Sequence, residues 1–261
     1  MTPGWAELEP RPRAVATAEL ARRSAERRHL VVQLAGAHGG GYAGARSPIV
    51  LDAIHVAPTA ALLALAPDDG ACEHAVDDDG LTLRYQSHDV GTALRGILRG
   101  HGGYLEAMLA ARTLVEDARL GGVRPLLDAV TSRLLARHYA GVAVAQRRLL
   151  APTPTAEAVL DALRPALTGA HLLATGELVV DVAALVEATP LDGVDDLAAR
   201  ARADDAAPLA AAEVERWHRD LDSARRRLEE ALPTSPLPAV PVPAAVAELD
   251  RWLIELRRTA W

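Results

Sequence analysis

The chain has 261 residues, half of them apolar, and 35 acidic against 28 basic residues give a net charge of −7. That length suits one large domain or two small ones with a sizeable core, and the negative balance argues against a broad electrostatic grip on nucleic acid. The single Cys72 excludes an internal disulfide or a multi-cysteine zinc site, and no apolar run reaches the roughly 18 residues of a membrane span.

Residues 1–14 are Pro-rich and read as a flexible tail. A helical pattern follows over 15–29. The apolar run His29–Ala35 (HLVVQLA) predicts a buried strand, Gly36–Gly44 a glycine-dense turn, and Ile49–Ala57 a second strand. A short helix is expected over 59–65 and an acidic turn over 68–80. The alternation of Leu81–Gln86 predicts a third strand, with Ser87 as N-cap of a helix over 90–98. Helices are then expected over 104–112, from Pro125 to about Arg137, over 139–150, 154–173, 182–187, 194–203 and 210–232. A Pro-rich link at 233–243 precedes an amphipathic helix over 244–258. These elements predict an α+β fold: a small mixed sheet with flanking helices over 15–120, then an all-helical domain over 121–261.

Three stretches carry a resemblance. Gly36–Pro58 reads GAHGGGYAGARSPIVLDAIHVAP, Leu81–Leu109 reads LTLRYQSHDVGTALRGILRGHGGYLEAML, and the helical part holds HYAGVAVAQ, ALRPALTGAHLLATGE and SPLP. In this order they resemble the polymerase-beta nucleotidyltransferase superfamily, in particular a bacterial branch of predicted nucleotidyltransferases. In that family a strand ends in Gly-Ser, the next strand carries Asp-x-Asp, and a third strand carries a third acid. Gly36 matches the glycine and Ser47 the serine before the acids, while Arg164, His171 and Glu177 match the branch. The acids themselves are absent. Pro48 and Val50 stand at the first two acid positions, Arg84 at the third, and Ala37 replaces the motif serine. Glu157, Ala158 and Asp161 occupy the area where the branch tends to carry a Lys and a Tyr.

Nucleotidyl transfer needs two metal ions held by shared carboxylates. Val50 offers no ligand and Arg84 repels a cation, so no catalytic residue and no cofactor are expected. Asp52, two residues beyond Val50 and on the same strand face, is the fallback metal ligand; Mg²⁺ or Mn²⁺ with a nucleoside triphosphate is expected only if it serves. All 28 basic residues are Arg, the better bidentate partner for phosphate. Arg46 and Arg84, with Gly36, Ala37, His38, Ser47 and Arg164, form the candidate nucleotide-binding set.

Three readings follow. The first is a catalytically silent relative that binds a nucleotide, an RNA end or a protein partner. The second is an active enzyme using Asp52 with Asp77, Asp78, Asp79 or Asp89. The third is a structural subunit without a pocket. His38, His55, His88 and His101 match no zinc motif spacing, and Gly39–Gly41 lacks the Lys of a P-loop. Arg147 and Arg148, near His138 and Tyr139, form either a wall for a base or RNA end or a solvated face. Trp217, Trp252 and Trp261 read as packing anchors. No charged-then-apolar leader opens the sequence, so a cytoplasmic protein without membrane contact is expected.

Overall fold

The computed structural model describes residues 2–203 and 206–259; Trp261 lies outside them. The fold is α+β, and the chain divides into two compact units. The first comprises the residues up to Ala35, Pro48–Ser132 and those from Val240 onward; the second comprises Gly36–Ser47 and Arg133–Ala239.

The first unit is built on a five-stranded sheet in the order β3-β4-β2-β1-β5. The strands are β1 (Arg28–Ala35), β2 (Ile49–Val56), β3 (Cys72–Asp78), β4 (Leu81–Asp89) and β5 (Thr113–Glu116). Only β2 and β4 run parallel. Helix α1 (Pro10–Glu26) covers one face, where Ala16 and Leu20 join Val32, Leu34, Leu51, Leu83 and Tyr85 in one apolar cluster. Helices α4 (Val90–Leu98) and α5 (Gly102–Leu109) contact the sheet as well. Gln33 of β1 donates its amide to the carbonyls of Glu106 and Ala107, at 3.2 and 2.8 Å, and so caps the open end of α5.

Helix α6 (Leu120–Val130) packs against α12 (Pro243–Arg258), and α12 is pinned by a buried ion pair. The Arg257 guanidinium meets the Asp89 carboxylate, which is 1% exposed. Asp89 also accepts from the backbone N–H of Ala57 at 3.1 Å and of Gly91 at 2.8 Å. Arg257 donates to the Ala57 carbonyl at 2.9 Å.

A second buried polar chain crosses this unit. His55 Nε2 lies 2.6 Å from the Asp69 carbonyl, which can only accept, so Nε2 carries the proton and Nδ1 accepts from Ser87, at 2.7 Å. The Tyr85 hydroxyl is hydrogen-bonded to Ser87. The Tyr85 hydroxyl also lies 2.7 Å from His29 Nε2, and Ser24 Oγ lies 3.2 Å from His29 Nδ1. The Asp69 carbonyl thus fixes the tautomer of His55, and burial favours the neutral form of both imidazoles.

The second unit is helical. It contains α2 (Gly36–Gly40), α7 (Leu135–Leu149), α8 (Ala156–Thr175), α9 (Val182–Ala188), α10 (Val194–Arg202) and α11 (Ala211–Thr234). Its core runs along α8 and α11 and includes Trp217, 2% exposed, which also carries the Arg216 guanidinium 4.3 Å from its ring centre.

Several expectations need correction. The expected tail over 1–14 is not loose in its described residues 2–14: Pro3–Glu7 forms a 3₁₀ turn, α1 already starts at Pro10, and Thr2 and Trp5 both donate to the Leu114 carbonyl. Leu8 and Trp5 supply the apolar anchor that holds this segment down. The 68–80 segment contains strand β3, whose residues are largely exposed because it is a sheet edge. Pro125 lies inside α6 instead of starting a helix. Asp89, not Ser87, caps α4. The boundary falls after Ser132, and residues from Val240 onward, α12 included, belong to the first unit instead of to a helical domain over 121–261. Among the described residues, no helix is long and apolar enough to cross a membrane.

Candidate functional site

In the first unit the parallel pairing of β2 and β4 sets Val50 beside Arg84 and Asp52 beside Gln86. Pairing of β4 with β3 adds Ala75 beside Arg84 and Glu73 beside Gln86. Alternation along each strand puts these residues on the face opposite the α1 cluster. All of them but Asp52 line a shallow groove of about 410 Å³.

The groove does not suit a divalent ion. Valine has no donor, and the Arg84 guanidinium is a fixed cation. Asp52 is half-buried, and its Oδ1 accepts the Gln86 amide at 2.6 Å. The other acids of the active-enzyme reading are engaged elsewhere. Asp77 shares the face, but it pairs with Thr82, four residues from Gln86 and so about 13 Å along the strand; its carboxylate accepts from Gly80 N–H and closes the hairpin. Asp78 and Asp79 form exposed ion pairs with Arg11, and Asp89 is held by Arg257. Among the described residues, no three His, Cys, Asp or Glu side chains are grouped to hold a metal ion.

The remaining candidates lie in the second unit. Gly36 turns the chain with φ of +58°, a conformation that favours glycine. Ala37, His38 and Ser47 are buried and Arg46 is exposed. Ser47 accepts from Gly44 N–H at 3.0 Å and donates to the Glu157 carboxylate, so it closes the loop onto α8. The Tyr42 hydroxyl donates to Asp161 at 2.7 Å. Burial pushes Asp161 up, against the opposing effects of the Tyr42 hydrogen bond and the Arg164 charge. Burial also pushes the Tyr42 phenol up, with the Asp161 charge adding to it. A methyl group on Gly40 would stand 2.3 Å from the Tyr42 ring and 3.2 Å from Arg164 Cδ, so the glycine loop is closed by these side chains.

The candidates therefore separate into two groups. Val50, Asp52 and Arg84 belong to the sheet, with Pro48 just before β2 in the same unit; Gly36, Ala37, His38, Arg46, Ser47 and Arg164 belong to the helical unit. Gln86 and Glu73 line the groove and were not singled out by sequence. Gln86 sits two residues past Arg84, and strand alternation alone would place it on the same face. The Tyr42–Asp161 and Ser47–Glu157 pairs join residues more than a hundred positions apart and leave no local signal.

Comparison with known proteins bears on this arrangement. A family described as RlaP, RNA repair pathway DNA polymerase beta family, matches residues 13–255. Among solved structures, a nucleotidyltransferase-like protein from Exiguobacterium sibiricum is 12% identical, with 92% of this chain and 77% of that chain covered and a TM-score of 0.31. No curated protein matches.

Proposed function

Because the chain belongs to the RNA repair pathway DNA polymerase beta family, we propose that it is a catalytically silent member, which binds the phosphates of a nucleotide directly instead of through metal ions. The observation that carries this reading is the Val50–Arg84 pair at the positions where the family's resemblance calls for acids. A guanidinium there supplies permanent positive charge and two parallel donors to a phosphate oxygen pair. Metal ions would have supplied that charge in an active relative, together with the Lewis acidity that Arg84 lacks. Binding is retained and turnover is not. The family's description makes an RNA end a natural second ligand.

The test is calorimetric titration of ATP or GTP with EDTA present. Equal binding with and without Mg²⁺ is expected, and Arg84→Ala should weaken it about 10- to 100-fold, the worth of one charge-assisted contact of about 1.5–3 kcal/mol. No heat at millimolar nucleotide would sink metal-free recognition. Label transfer from a triphosphate to total RNA in Mn²⁺ would establish an active enzyme instead.

A further inference from the structure

The helical unit carries a second cavity, of about 290 Å³, at the junction of α7, α8 and α11. Its size lies near the lower end of small-molecule pockets, about 300–1,000 Å³, so it suits one compact ligand and not a run of polymer. The lining is unusual for a chain of net charge −7. Arg147 and Arg148 enter from the last turn of α7 and Arg225 from α11, against one carboxylate, Asp222. The floor is apolar, with Ala166 and Leu221 among its residues.

Two of the arginines hold carboxylates: Arg147 pairs with Asp222 and Arg225 with Glu229. Both pairs are solvent-accessible, with side chains 36–53% exposed. Exposed pairs of this kind contribute little, so they yield readily to a competing anion. A phosphate dianion offers more charge and more acceptor oxygens than either carboxylate, so exchange is favourable. Arginine planes also stack on flat rings, and the apolar floor takes such a ring out of water.

We infer that this groove is a binding site for a phosphomonoester borne on a nucleotide-sized ring. The chemistry is shared by a free mononucleotide and by the phosphorylated end of an RNA. Asp222 acts as the internal competitor that holds Arg147 until the phosphate arrives. The site belongs to a different unit from the Arg84 groove and does not depend on it.

The experiment uses the full chain carrying Arg84→Ala, so that sheet-groove binding is weakened and the signals of Arg147, Arg148 and Arg225 report the helical site alone. Titration with 5′-AMP, adenosine and inorganic phosphate is followed by NMR of the arginine side chains. AMP is expected to bind at least about tenfold more tightly than adenosine or inorganic phosphate, since each lacks one half of the recognition. Arg148→Ala and Arg225→Ala, both partly or fully exposed positions, should each weaken AMP about tenfold. Asp222→Asn should tighten AMP binding, an effect that a merely structural carboxylate would not produce. A 5′-phosphorylated oligoribonucleotide binding more tightly than AMP assigns the site to RNA ends; equal or weaker binding assigns it to free mononucleotides. AMP binding that is absent at 5 mM (about 3 kcal/mol in standard free energy), indifferent to both arginine variants, or weakened by Asp222→Asn overturns the inference.

Discussion

Replacing Arg257 with Ala is expected to lower the unfolding free energy by about 3–5 kcal/mol, the usual result of leaving a buried charge without its partner. The Asp89 carboxylate is almost fully buried, and its two backbone donors, Ala57 and Gly91, supply dipoles but no countercharge. The variant also frees the Ala57 carbonyl that Arg257 caps. Urea denaturation at pH 7 measures the change. In the double variant Arg257→Leu/Asp89→Asn much of the loss should return, because neither charge is then stranded. A loss below about 1 kcal/mol would mean that Asp89 reaches water and that α12 is not held by this pair.

Acidification from pH 7 to pH 4 is expected to cost about 3 kcal/mol through His29 alone. Burial, with the nearby charge of Arg27, lowers its pKa to about 4 from an ordinary 6.5. The unfolded chain therefore takes up the proton first. The stabilisation is complete above pH 6.5 and is lost as pH falls through the interval to about 4. Burial also lowers His55, so both imidazoles of the chain from Ser24 to Asp69 work in the same direction. The Asp117 carboxyl, held to about 2 by its hydrogen bond to Arg119, gives way only in stronger acid. Denaturation series at pH 7, 6, 5 and 4 should show stability falling steadily, and His29→Gln should flatten the slope by up to one proton. An unchanged slope in that variant would show that His29 already titrates normally in the folded state.

Strands β1 and β2 are legible because buried strands concentrate Val, Leu and Ile, and β4 because its residues alternate between buried and more exposed positions. Edge strand β3 is not, since Glu73, His74, Asp77 and Asp78 face water and imitate a turn. Strand β5 is only four residues long. The neighbourhood of Val50 and Arg84 can be read from two short apolar runs and their alternation. What surrounds them cannot. The Gln86 amide on Asp52 depends on β2–β4 register and the Glu73 side of the groove on β3–β4 register, which no local pattern announces. Pro125 misleads for a different reason: proline suits a first helical turn, yet here the helix extends five residues before it. The first unit extends beyond 15–120 because its closing helix follows the whole helical segment in sequence.

That last arrangement has a consequence for how the molecule comes to exist on a ribosome. Asp89 leaves the exit tunnel 168 residues ahead of Arg257. At a synthesis rate of about 5–20 residues per second, the nascent sheet waits roughly 8–34 seconds for its counterion. The helical unit is complete before then and has time to condense first. A chaperone or protease meeting the newborn chain would find the sheet, not the helices, still unfinished.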